Sequence, residues 1–195
     1  MNKLAAILIV LLIAVGIVVV LCIAGFFWYV SQFNHVVTLN ETVKEKWGNV
    51  ESALTRRFDL IPNLVNTVKG YAAHEKELFE HVADVRKSYF QPNATPEEKI
   101  KAANEMSGLL SRLLLLQENY PELKANQNFL TLQSQLEGAE NRIKFERDKY
   151  NEAVRNLNTC VKSFFGRYFA RKAKVVAAPF YEAPTEAQTA PKVQF

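Results

Sequence analysis

From Leu4 to Val30 the chain carries no charged side chain, and only Gly16, Cys22 and Gly25 interrupt Leu, Ile, Val, Ala and aromatic residues. A helix over that run reaches about 40 Å at 1.5 Å per residue, more than the roughly 30 Å of a hydrocarbon core. The alternative is a cleaved signal peptide, whose apolar core spans about 7–15 residues and closes on small residues. This run is longer and closes on Phe26, Phe27, Trp28 and Tyr29, rings suited to the headgroup boundary. A retained transmembrane anchor is therefore the expectation. Cys22 follows Leu21 rather than a small residue, so no lipid attachment is expected there. Lys3 precedes the run, and nothing positive follows it until Lys44, with Glu41 between. The positive-inside bias then favours a cytoplasmic N-terminus and a domain on the outer side.

Beyond the anchor, apolar residues recur at three- and four-residue intervals, the mark of amphipathic helices. Val36, Val43, Trp47, Val50 and Leu54 form a first stripe, with no Gly or Pro between Val30 and Val43 to separate it from the anchor. A second pattern runs Ile61, Leu64, Val65, Val68, Ala72, Leu78, Phe79, Val82, Val85, Tyr89 and stops at "QPNATP". Thr95, Pro96 and Glu98 then make a well-formed helix start, with a capping threonine, proline at the first position and glutamate at the third. The third helix carries Ile100, Ala103, Met106, Leu110 and Leu113, and its "LLSRLLLL" run, 109–116, predicts the most enclosed part of the fold. Pro121 marks the next corner, and Phe129, Leu132, Leu136, Ile143, Tyr150, Val154, Leu157 and Val161 trace the longest stripe.

The expected fold class is all-α: an N-terminal transmembrane helix followed by an antiparallel bundle of about four long helices. Residues 1–34 are the anchor and juxtamembrane segment, 35–176 the bundle, and 177–195 a flexible, proline-containing tail.

Arg56, Arg57, Asp59 and Pro62 interrupt the apolar rhythm in "RRFDLIPNLVNTVKGYAAHE", 56–75. Asp59 can cap a new helix and Pro62 suits its first turn, so the stretch reads as helix end, turn and helix start. A continuous helix kinked at Pro62 is the other reading. At seam spacing Arg57, Glu75, Glu140 and Arg147 fall on interior stripes. Unpaired, each would cost several kcal/mol. They are expected either to pair in a polar layer that fixes helix register, as a polar seam residue does in coiled coils, or to snorkel at the edge of the stripe.

The segments "RRFDLIPNLVNTVKGYAAHE", "ENYPELKANQNFLTLQSQLEGAENRI" and "YNEAV" closely resemble the LemA family, in order and behind a similar membrane segment. The resemblance covers about residues 35–160 and thins after Cys160. It implies a bacterial, single-pass, N-terminally anchored membrane protein with a helical domain, in the inner membrane. It carries over no catalytic residues. The matching positions Arg56, Arg57, Asp59, Pro62, Asn63, His74, Glu75, Tyr120, Pro121, Asn126, Glu140, Tyr150 and Asn151 stand as structural candidates.

Other chemistry is poorly signalled. Of 24 Lys and Arg only Lys3 precedes the anchor, and 20 Asp and Glu balance the rest, which argues against a nucleic-acid partner. His74, Glu77, His81 and Asp84 share a helical face, but the two histidines lie about 10 Å apart along it, too far for one ion. No nucleophile elbow, phosphate-cradling glycine loop or Cys–His spacing is present. No enzyme activity, metal or cofactor is expected.

The segment "VKSFFGRYFARKAKVV", 161–176, carries Lys162, Arg167, Arg171, Lys172 and Lys174 with no acid. On a helix these cations oppose Phe164, Phe165, Tyr168 and Phe169, which suits an anionic membrane surface. The same aromatics could instead extend the core seam of the longest helix. The function expected is a membrane-anchored helical scaffold or interaction protein that associates with itself and with the bilayer, and with an unidentified envelope protein. A membrane-bound sensor or receptor subunit holding a small ligand between helices is the alternative.

Overall fold

The structure, a computed structural model, describes residues 3–182. Six α-helices follow one another: α1 Lys3–Lys69, α2 Lys76–Tyr89, α3 Pro96–Leu115, α4 Pro121–Lys124, α5 Gln127–Lys162 and α6 Phe164–Ala173. A single 3-10 turn, Leu116–Glu118, leads into α4, and the described residues contain no strand. The chain is all-α.

The described residues divide into two compact units. One takes α1 up to Thr42 together with Asn156–Ala177; the other takes Val43–Arg155 and the chain from Ala178 on. Composition had placed residues 35–176 in one domain, whereas the end of α5 and all of α6 group with the N-terminal part of α1.

In the second unit α1, α2, α3 and α5 alternate in direction. Tyr89 and Arg86 of α2 reach Glu51 and Phe58 of α1, while Phe79 lies under Lys69, so α2 runs back along α1. Lys99 of α3 pairs with Glu51 and Ala103 meets Arg57, which returns α3 to the direction of α1. Asn126 bonds Tyr71 and Tyr150 packs on Trp47, so α5 runs antiparallel to α1. The core follows the stripes read from the sequence, with Phe58 added between the first and second: Val50, Leu54, Phe58, Ile61, Leu64 and Val68 face Tyr89, Met106, Leu113, Phe129, Ile143 and Val154, all nearly inaccessible.

The expected corner at Arg56, Asp59 and Pro62 is not there. α1 runs through Pro62 and ends at Lys69, and the corner is Gly70–Glu75, where the Tyr71 and Ala72 amides both return to the Val68 carbonyl. A proline inside a helix frees the carbonyl four residues earlier and costs about 3 kcal/mol. Here that carbonyl belongs to Phe58, and Arg86 Nε of α2 donates to it at 3.4 Å. The same guanidinium reaches Asp59 at 4.0 Å, so Asp59 answers Arg86 rather than capping a helix. Pro62 itself is exposed, while Phe58, Ile61 and Leu64 keep the buried stripe continuous across it.

Pro121 does open a helix after a corner, that of the short α4. The start of α3 is as expected: Thr95 Oγ1 accepts from the Glu98 amide at 3.3 Å, and Glu98 Oε2 accepts from the Thr95 amide at 2.7 Å. The 109–116 run is less enclosed than expected, for Leu109, Leu110, Leu113 and Leu116 are buried but Leu115 faces out.

The tail expectation also needs correction in part. Tyr150 Oη donates to the Pro179 carbonyl at 2.9 Å, and the Asn151 amide both accepts from the Tyr181 N–H at 2.8 Å and donates to its carbonyl at 3.0 Å. Asn104 Nδ2 adds a bond to the Glu182 carbonyl at 3.1 Å. Residues 179–182 are thus a strap laid on the bundle, with Tyr181 buried. The rest of the expected tail lies outside the described residues.

Candidate functional site

Two constellations stand out, one in each unit. In the second, Arg57 of α1 is 2% exposed and holds three acceptors: Glu140 Oε2 of α5 at 2.7 Å, Ser107 Oγ at 2.9 Å and the Ala103 carbonyl of α3 at 2.9 Å. Ser107 passes its own proton to the Ala103 carbonyl, so one guanidinium ties three helices. The Arg57 Nε has no partner. Glu140 is 57% exposed along its side chain, so the pair is asymmetric, with a desolvated cation and a wet carboxylate.

Of the four residues expected in a polar layer, the structure bonds Arg57 to Glu140. Arg147 lies electrostatically beside Tyr181, and its nearest carboxylate is Asp148 at 3.8 Å. Glu75 takes no part, for it stands at the start of α2 without making a side-chain cap. Tyr181 comes from the strap. Burial pushes its phenol pKa up, with the charges of Arg57, Glu140 and Arg147 acting in opposed directions after it. Glu146 was missed because the seam reading runs through Arg147, whereas Glu146, three residues after Ile143 and four before Tyr150, is the buried one and accepts from Arg142 at 2.7 Å. Burial is the main cause that raises the Tyr89 and Tyr150 phenols to about 12, with Glu51 and Glu97 respectively adding to it.

On the outer face of α1 and α5 a shallow groove is floored by Ala53, Gly138 and Ala139 and flanked by Arg56 and Arg142, with Asn49 and Gln135 at its rim. Arg56, read as part of a corner, is instead an exposed wall of this groove. His81 Nε2 meets Glu105 Oε1 at 2.8 Å across α2 and α3, and the described residues hold no group of three or more His, Cys, Asp or Glu placed for a metal ion.

In the first unit the apolar stretch of α1 is bare: Leu12 is 70% and Leu21 65% exposed. The helix is long and apolar enough to cross a membrane. Its aromatic end meets α6. Trp28 packs edge-on against Phe165 and Phe169 at 5.5 and 5.9 Å between ring centres, and Tyr29 against Phe169 at 5.1 Å. Phe169 and Ala170 close a small core with Val36, flanked by Phe33, Cys160 and Val161.

A sharp corner aims α6. Ser163 Oγ accepts from the Gly166 amide at 3.1 Å and donates to the Cys160 carbonyl at 2.7 Å. A Cβ on Gly166 would stand 2.0 Å from that carbonyl oxygen, so only glycine fits. Lys174 ends α6 in the left-handed region at φ 55°. Of the aromatics, Phe169 alone is buried, as a core seam requires. Phe164, Phe165 and Tyr168 point outward, and Lys162, Arg167, Arg171 and Lys172 surround Phe164 and Tyr168 in a shallow depression.

These features define a class: a helical bundle behind a bare apolar helix, held by an arginine-centred polar layer. The sequence model of the LemA family matches residues 46–195. The chain belongs to the LemA family. The match runs past Cys160, where the quoted motifs give out, and takes in the strap and α6. Magnetosome protein MamQ of Magnetospirillum gryphiswaldense is 24% identical over 164 residues, 71% of this chain and 60% of that protein. Magnetosome protein MamQ 1 of Paramagnetospirillum magneticum is 25% identical over the same length and shares. Protein LemA of Metamycoplasma hominis is 18% identical over 158 residues, 81% of this chain and 72% of that one. The matched part is thus only 60% of the length of the magnetosome relatives.

Proposed function

We propose that this protein is a membrane-anchored helical interaction protein, held in the bacterial inner membrane by one N-terminal span and acting by contact rather than by chemistry. The observation that carries this reading is the bare apolar part of α1, whose leucines and valines find no cover among the described residues. At roughly 25 cal/mol per Å² of apolar surface, a helix so clad is driven into a bilayer. The arginine-tied bundle then serves as the platform, with copies of the chain and an envelope protein as its partners. Confinement to one membrane raises the local concentration of copies and favours self-association. Lys3 ahead of the span favours the bundle on the extracytoplasmic side.

Extraction of cell membranes with alkaline carbonate tests the anchor: the intact chain stays with the lipid. Release of a shortened chain lacking the apolar segment would mark a signal peptide and end this reading. An impermeant maleimide on a cysteine introduced at Glu77 reports the side, and crosslinking in intact membranes reports the copies.

A second reading rests on the groove between α1 and α5. Two guanidiniums, Arg56 and Arg142, flank it with amides at its rim, an arrangement that suits a small carboxylate or phosphate and a sensor role. Ligand-dependent melting shifts that vanish in Arg56→Gln would favour it.

A further inference from the structure

We propose that α6 is a second membrane element, an in-plane helix that binds the anionic phospholipid headgroups around the emerging end of the span. This rests on the anchored reading above and adds a partner and a surface to it.

Phe164 is 86% exposed, and Phe165 and Tyr168 are more than half exposed, on a helix that had Phe169 available to bury. Adjacent outward aromatics of this size mark an interaction surface. Their position selects the occupant. α6 is docked on Trp28, Tyr29, Phe33 and Val36, and the uncharged run ends at Val30. A span ending there puts Trp28 at the headgroup boundary, and α6 shares that depth within its own unit.

Charge agrees. From Ala153 to Tyr181 there is no Asp or Glu, while Lys162, Arg167, Arg171, Lys172 and Lys174 crowd α6 and its ends. The side chains of Lys162, Arg167, Arg171 and Lys172 surround Phe164 and Tyr168, and Arg167 is oriented by its bond to the Lys162 carbonyl at 3.2 Å. Rings that dip toward acyl chains beside cations that meet phosphates are the chemistry of an interfacial helix. The Gly166 corner fixes α6 against α1, so the surface is held in place rather than left to fold on the membrane.

The test uses the full chain with Cys22→Ser and Cys160→Ala, carrying one bimane-labelled cysteine from Phe164→Cys or from Val15→Cys. Bilayers are made with and without anionic phospholipid. Brominated acyl chains quench from the lipid, and iodide quenches from water. The inference expects the probe at 164 to be quenched by brominated lipid, more strongly with anionic lipid. It also expects Arg167→Gln, Arg171→Gln and Lys172→Gln together to lower co-purified anionic lipid by more than about tenfold. Iodide access at 164 with brominated-lipid quenching at 15 overturns the inference and leaves the anchor standing. Protection at 164 from both quenchers, meaning a protein covers the face, also overturns it. Iodide access at 15 overturns the anchor and, with it, this inference.

Discussion

In the second unit Leu54, Phe58, Ile61 and Leu64 find their cover within the chain, whereas in the first Leu12, Val20 and Leu21 stand bare among the described residues. Both sets lie on α1. Charge differs in the same way: the bundle sets Arg57 against Glu140 and Lys99 against Glu51, while Asn156–Ala177 offers cations with no acid of its own. One unit has its cover and counter-ions built in, and in the other the apolar and cationic surfaces stand bare among the described residues. The lesson is that one amphipathic alphabet is read against two media, and stability in one unit says little about the other.

The sharpest way to break that comparison is to charge the span. Leu12→Asp with Val19→Asp costs about 3 kcal/mol per residue at the bilayer centre. The chain should leave the carbonate-resistant fraction while the melting of its bundle hardly moves. Retention of the double variant would mean that something other than the span holds the protein to lipid.

Next comes the polar layer, where the asymmetry of the pair predicts an asymmetry of cost. Arg57→Ala removes three bonds and opens a cavity among three helices but leaves behind only a wet carboxylate, a loss of about 2–3 kcal/mol. Glu140→Ala should cost more, about 3–5 kcal/mol, because it leaves the desolvated Arg57 guanidinium without its counter-charge. Denaturant titration of the full chain in micelles measures both. A cheaper Glu140 variant would show that water reaches Arg57 once the carboxylate is gone.

A smaller effect belongs to the strap. Asn151→Ala removes both bonds to Tyr181 and should lower stability by about 1 kcal/mol, with faster hydrogen exchange at the Tyr181 amide. The smallest concerns acid. The Thr95 amide and hydroxyl hold the Glu98 carboxyl below its ordinary pKa. What that group contributes is therefore present above the ordinary glutamate range and is lost as pH falls through the lowered value. Thr95→Ala should flatten the acid limb of a melting-versus-pH curve, and an unchanged limb would assign it to other carboxylates.

What could be read from the sequence was what is local or periodic. The cap at Thr95 lies within four residues, and Arg57 and Glu140 declare themselves by falling on apolar stripes. Pro62 was read as a corner because local propensity makes proline a stop, and the donor that lets α1 continue, Arg86, comes from another helix. The strap was read as loose because proline-rich composition reports the lack of a helix, not the lack of docking. Its partner Asn151 looks like any polar residue on a helix surface. In α6 the aromatic and basic faces were legible, but only packing against Tyr29 and Val36 separates Phe169 from Phe164, Phe165 and Tyr168.

The gap that Pro62 leaves in the hydrogen-bond ladder of α1 gives the helix an address. One carbonyl, that of Phe58, is left asking for a donor, and along α2 the guanidinium of Arg86 answers it. A slide of α2 by a single turn would carry that guanidinium about 5 Å away and leave the carbonyl thirsty. An unbroken helix would form more readily alone but would accept its neighbour at several heights. The proline trades a little intrinsic helicity for one permitted alignment.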